Sequence, residues 1–133
     1  KRDKKSKFFP LQKKGLLLKK LIRKMKQESI FEEYFGDTPM VRILNFLILG
    51  KDFDYSMTEI ANGSHVGWTS FTRAWKELEK RKVVVHTREI GRAKLYKLNT
   101  EDPTVQKLVK LHWEIIKTET DKMLGKKKML ATS

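Results

Sequence analysis

The chain has 133 residues, enough for one domain with a modest core plus extensions. It carries 30 Lys and Arg against 16 Asp and Glu, a formal net charge of +14, which points to a polyanionic partner, either nucleic acid or an anionic membrane surface. The absence of cysteine excludes disulfide frameworks, thiolate zinc sites and cysteine catalysis, and no run of about 18 apolar residues is present to span a membrane.

The first fifteen residues, "KRDKKSKFFPLQKKG", are dense in lysine, show no apolar period and contain Pro10, so they read as a disordered basic arm in which Lys4, Lys5 and Lys7 are candidate phosphate contacts. The following "GLLLKKL" is broken by lysines too soon for a signal-peptide apolar region, and the expected location is cytoplasmic, with the nucleoid. From Leu16 the pattern changes. Leu17, Leu18, Leu21, Ile22 and Met25 fall on one helical face, and Lys19, Lys20, Arg23, Lys24 and Lys26 on the other. An amphipathic helix is expected over 16–34. Its apolar face can cover the core or a partner subunit; its basic face is solvated, contacts the DNA backbone, or lies on a membrane surface.

Residues 35–100 read as a compact domain. Asp37 or Thr38 caps a helix with Pro39 in its first turn, and Gly50 stops it. "MVRILNFLIL" is apolar around nearly its whole circumference, so it is expected to be buried on more than one side. A short strand is expected at Phe53–Tyr55. Ser56 and Glu59 form a capping box that starts a short helix with Ile60 and Ala61 inward, and "NGSHVG" breaks it. A second helix runs from Trp68 to about Arg81, with Phe71, Ala74, Trp75 and Leu78 at core spacing. "VVVHTREI" is a β-branched strand, "GRA" turns, and "KLYKL" returns. A last amphipathic helix, 103–125, presents an apolar stripe that includes Val105, Leu108, Val109 and His112, and is expected to dimerise; 126–133 is a basic, frayed tail.

Two short helices joined by a tight turn, followed by a hairpin with a basic tip, make a winged helix-turn-helix. The expected fold is therefore mainly α with a small β-hairpin, the winged domain being flanked by N- and C-terminal helices. A helix that enters a major groove about 12 Å wide needs short donors at its start. Trp68, Thr69, Ser70, Thr72, Arg73 and Lys76 supply the groove-facing candidates. Thr69 and Thr72 can donate to phosphate or base edges, and Arg73 can reach guanine bidentately or bridge to Glu77 one turn on. Trp68 either contacts the groove or is buried against the N-terminal helix. Arg88, Arg92 and Lys94 surround Gly91 in the wing, either as DNA contacts or as a solvated face, with Glu89 as a local charge partner.

The stretch from "FGDTPMVRILNFLI" through "FDYSMTEIA" to "TREIGRAKLYKLNTEDP" resembles the archaeal winged helix-turn-helix transcriptional regulators related to the MarR and ArsR groups. The resemblance covers about residues 35–111. It implies a recognition helix at 68–80 and a wing at 89–94. Where such sequences usually cap the recognition helix with serine, this chain has Gly67, which still caps but offers no side-chain phosphate contact.

Three scattered histidines, no metal-spaced carboxylates and no glycine-rich phosphate loop argue against an enzyme. No cofactor or metal is expected. The expected function is a homodimeric, sequence-specific regulator on double-stranded DNA, with no membrane partner. The alternatives are a non-specific architectural or RNA-binding protein that uses the lysine-rich arm, or a winged helix that binds protein.

Overall fold

The computed structural model describes the backbone of residues 27–132 and the side chains of residues 30–125. The basic arm and the first part of the expected amphipathic helix, 16–26, lie outside the described residues. Among the described residues the order is α1 (Gln27–Phe35), α2 (Pro39–Leu49), β1 (Tyr55–Ser56), α3 (Met57–Gly63), α4 (Trp68–Lys80), β2 (Val84–Ile90), β3 (Ala93–Leu98) and α5 (Pro103–Thr132). The fold is mainly helical with one small antiparallel sheet in the order β1-β3-β2. It is a winged helix-turn-helix in which α3 and α4 form the helix pair, β2 and β3 the wing, and α1 and α5 the flanks.

Local chemistry starts and stops these elements where the residues dictate. Thr38 caps α2, its hydroxyl accepting from the Val41 N–H at 3.3 Å, and Pro39 follows at the first helical position. Ser56 and Glu59 exchange both hydrogen bonds of the capping box, at 3.1 and 2.9 Å. Because Ser56 is both the cap and the last strand residue, β1 is shorter than expected, starting two residues later and ending one residue later, and it pairs Tyr55 with Tyr96. Gly91, at φ +61°, supplies the left-handed residue of the two-residue wing turn. A bulge at Thr87 then shifts the β2–β3 register between His86 and Arg88.

Two expected boundaries move. Asn62 and Gly63 do not break α3 but complete it. A β-carbon on Gly63 would lie 2.2 Å from the Phe46 ring, so glycine lets α3 approach α2 at backbone range. The C-terminal helix does not fray at 125 but continues to Thr132, through lysines, methionine, leucine and alanine that favour helix.

Phe31, Ile43, Leu47, Ile48, Ile60, Phe71, Trp75, Leu78, Val84, Leu98 and Val105 make one buried core, with Met40, Val41, Leu44 and Phe46 partly buried around α2. The all-round apolar α2 is thus enclosed from several sides, as its pattern predicts. Ile30 of α1 packs with Ile115 and Ile116 of α5 in a second cluster. His112 is fully buried between α1 and α2. Its Nε2 donates to Asn45 Oδ1 at 2.8 Å, and its ring lies 4.7 Å from Phe31.

Candidate nucleic-acid interface

Helix α4 turns about 100° per residue, which sorts its side chains into two stripes. Phe71, Trp75 and Leu78 face the core and are 0, 1 and 3% exposed. Thr69, Ser70, Arg73, Lys76, Glu77 and Lys80 lie on the opposite face, all exposed. At 1.5 Å per residue this outer face spans about 16 Å from Thr69 to Lys80. Arg73 and Lys76 make no ion pair among the described residues. Glu77, the expected alternative partner of Arg73, pairs instead with Arg81 at 3.5 Å.

Two of the predicted groove residues sit differently. Trp68 falls on the core stripe, at its end. It is 53% exposed, and its ring stacks on Phe71 at 5.4 Å and 19°. It is neither on the outer face nor buried; three residues before Phe71, the helical phase places it above that ring. Thr72 is half-buried, and its hydroxyl donates to the Thr69 carbonyl at 2.9 Å. That proton is committed within the helix, so Thr72 is an acceptor and not the free donor expected. Lys80, which the sequence candidates do not include, is exposed seven residues after Arg73, two turns along the same face; periodicity alone identifies it.

The start of α4 is open. Gly67 is the N-cap and provides no side-chain cap, so the first N–H groups of the helix face outward at its positive end. The far end is closed by a Schellman turn. Val83 N–H donates to Leu78 O at 2.9 Å and Lys82 N–H to Glu79 O at 3.0 Å, with Lys82 left-handed at φ +58°.

The wing places Arg92 and Lys94 in solvent beside Gly91, Lys94 standing directly across from Glu89. Arg88 is not a free wing cation. Its guanidinium donates to both oxygens of Asp54, at 2.9 and 3.2 Å, and the Thr87 hydroxyl donates to the same carboxylate at 2.7 Å. Asp54 comes from the loop before β1, 34 residues away, so no local pattern could announce it. The clamp fixes the wing to the domain through a bidentate pair. Arg88, and then Thr87, hold the Asp54 carboxyl down to about 2 from the ordinary 3.8. A lowered carboxyl stabilises the fold at neutral pH and releases that stabilisation as pH falls from about 3.8 towards 2. Carboxyl NMR is expected to show an Asp54 midpoint near 2, returning towards 3.8 in Arg88→Ala. A midpoint that does not move in the variant would remove the clamp.

Among the described residues no group of histidines and carboxylates has the arrangement of a metal site, and no helix is long and apolar enough to cross a membrane.

No protein-family model matches the sequence, and no curated protein matches it. Solved structures do match in fold. MepR, a transcription regulator of the Staphylococcus aureus multidrug efflux pump MepA, superposes with a TM-score of 0.55 at 16% identity, over 89% of this chain and 91% of that one. A MarR-family transcriptional regulator from Silicibacter pomeroyi gives 0.54 at 15% identity, over 87 and 82%. A MepR variant from S. aureus bound to an oligodeoxyribonucleotide gives 0.55 at 16% identity, over 89 and 91%. At these identities the likeness is one of fold, and the chain shares its winged-helix architecture with these proteins.

Proposed function

We propose that the chain is a sequence-specific DNA-binding transcription regulator that works as a homodimer, a member of the archaeal regulators it resembles in sequence. Helix α4 enters the major groove, and the wing lies on the backbone or minor groove. The observation that carries this reading is the outer face of α4, where Thr69, Ser70, Arg73 and Lys76 are exposed while Phe71, Trp75 and Leu78 of the opposite stripe are taken by the core. A surface that is not needed for folding, polar and cationic, at the open end of a helix, suits phosphates and base edges. Arg73 reads guanine; Thr69, Ser70 and the accepting oxygen of Thr72 meet phosphate or base edges; Trp68 presents its ring edge to sugar or a thymine methyl. Arg92, Lys94 and the arm residues Lys4, Lys5 and Lys7 neutralise phosphates. Arg88 supports the wing and reaches DNA only at the cost of its bond to Asp54.

The fold supports the reading, and the oligonucleotide-bound MepR variant shows that a chain of this architecture can hold DNA. Dimerisation is supported by the apolar side chains that α1 and α5 leave exposed, among them Tyr34, Phe35, Leu111, Met123 and Leu124. A two-fold dimer pairs with a pseudo-palindromic site whose half-sites lie about 10 bp apart or a multiple of it.

Selection of bound sequences from a random DNA pool tests the reading, followed by Arg73→Ala on the selected site. The variant is expected to lose about 1–3 kcal/mol of affinity and to relax base preference at one position, with folding unchanged. The net charge of +14 favours one rival, a backbone binder without sequence preference. That rival predicts no enriched sequence and equal competition by random DNA.

A further inference from the structure

The turn between α3 and α4 is a second Schellman motif. Val66 N–H donates to Ala61 O at 3.0 Å and His65 N–H to Asn62 O at 3.2 Å, and His65 takes the left-handed conformation at φ +57°. Glycine usually fills that position; here a histidine does. The turn therefore carries a residue that does not favour its own backbone conformation, two residues before the cap of α4.

Something outside the turn holds it. Arg42, in the first turns of α2, donates from Nη1 to the His65 carbonyl at 2.8 Å. The other side of the same guanidinium is occupied by Asp37. Nη2 donates to Asp37 Oδ2 at 2.8 Å and Nε to Asp37 Oδ1. Asp37 lies in the short connection between α1 and α2, next to Gly36 at φ +95°. The ion pair holds the Asp37 carboxyl below its ordinary value through the Arg42 hydrogen bond, and raises Arg42 in return. One planar group thus joins the connection after the flanking helix α1 to the turn that aims α4. Pairs 5 and 23 residues apart in sequence meet on it. Lysine could not replace it, because a point charge cannot satisfy a carboxylate and a carbonyl in one fixed plane.

We propose that Arg42 is a positioning residue for the reading helix. It fixes the His65 turn, and through Asp37 it makes the placement of the α4 N-terminus depend on the α1–α2 connection. Since α1 packs on α5, a shift in the flanking helices is passed to the open end of α4 by this strut. The inference rests on the reading of α4 as the DNA-contacting helix, but its structural half stands apart from it.

The test uses the full chain and the variants Arg42→Leu, Arg42→Lys and Asp37→Arg combined with Arg42→Asp. Amide exchange is followed at His65 and Val66 and, as a reference, in the buried part of α5, with affinity measured for DNA selected by the parent chain. Arg42→Leu is expected to speed exchange in the turn by about tenfold or more, to leave α5 unchanged, and to weaken DNA binding by about tenfold. Arg42→Lys is expected not to rescue either reading. The charge swap restores an ion pair but no donor to the His65 carbonyl, so it too is expected to fail. Unchanged turn exchange in Arg42→Leu, or full recovery by the swap, overturns the proposal. Faster exchange with unaltered affinity overturns the positioning role. If Arg42→Leu does not fold, Arg42→Lys decides by the same two measurements. A parent chain that selects no DNA sequence defeats the functional reading instead, while the exchange comparison still decides the strut.

Discussion

Truncation of Trp75 to alanine is expected to cost about 3–5 kcal/mol of folding stability, roughly a fifth or more of what a domain of this kind typically has. The residue is 1% exposed and is the largest of the fully buried side chains. Its ring stacks on Phe71 at 5.3 Å and meets Tyr96 of β3 edge-on at the same distance, so it is one of the contacts through which α4 and the wing share one core. A cavity there separates the two elements proposed to touch DNA, and binding is expected to fail along with folding. Trp75→Phe distinguishes packing from chemistry. Trp75 Nε1 is buried without a hydrogen-bond partner among the described residues, so the indole N–H contributes a penalty rather than a bond. Phenylalanine removes that penalty while keeping most of the ring, and should recover the larger part of the loss. Denaturant unfolding of the three proteins checks this; equal destabilisation by alanine and phenylalanine would mean that the indole N–H finds a partner.

Acid is expected to weaken the fold between pH 6.5 and 4 through one residue. Burial lowers His112 to about 4 from the ordinary 6.5. Its Nε2–H donates to Asn45, and its Nδ1 is buried without a partner among the described residues. The neutral ring is therefore the form the fold accepts. As pH falls below 6.5 the unfolded chain takes up a proton that the folded chain refuses, so stability falls with pH. The loss is complete near pH 4 and amounts to about 3 kcal/mol. The carboxyl of Asp54 acts only below 3.8, which leaves the upper window to the histidine. In His112→Gln the amide can still donate towards Asn45 but does not titrate. That variant is expected to be less stable at pH 7, having lost the ring against Phe31, yet flat between pH 6.5 and 4. A variant with the parent's slope in that window would assign the effect elsewhere.

What could be read from the sequence was what is local. Pro39, the Ser56–Glu59 box, Gly50 and Gly91 each act within a few residues, and each set its element to within a residue or so. The core stripe of α4 was legible for the same reason, since periodicity needs only the helix itself. The errors on that helix were errors of phase and competition. Trp68 belongs to the stripe of Phe71 by angle, and Thr72 spends its proton on its own backbone, as threonine in a helix readily does. The polar ties that brace the domain were not legible. Arg88 reaches Asp54, Arg42 reaches His65, and His112 reaches Asn45 across 34, 23 and 67 residues. Each uses a residue type common on surfaces, and only the folded arrangement shows which of many possible partners it meets.

The division of labour on α4 makes the helix rewritable. The side chains that anchor it, Phe71, Trp75 and Leu78, and the turns that end it, at His65 and Lys82, are all different residues from Thr69, Ser70, Arg73 and Lys76 on its outer face. A set of four letters can thus be exchanged as a group while the spelling that folds the chain stays untouched. A library randomised at those four positions should melt within a narrow range, because exposed helix positions such as Arg73 and Lys76 shift stability by only about 0.5 kcal/mol and Thr69 and Ser70, in the first turn, by about 1 kcal/mol at most through the helix dipole. Whatever variety such a library shows in the DNA it selects would then come from the outer face alone. The same scaffold could be set to new words without being refolded.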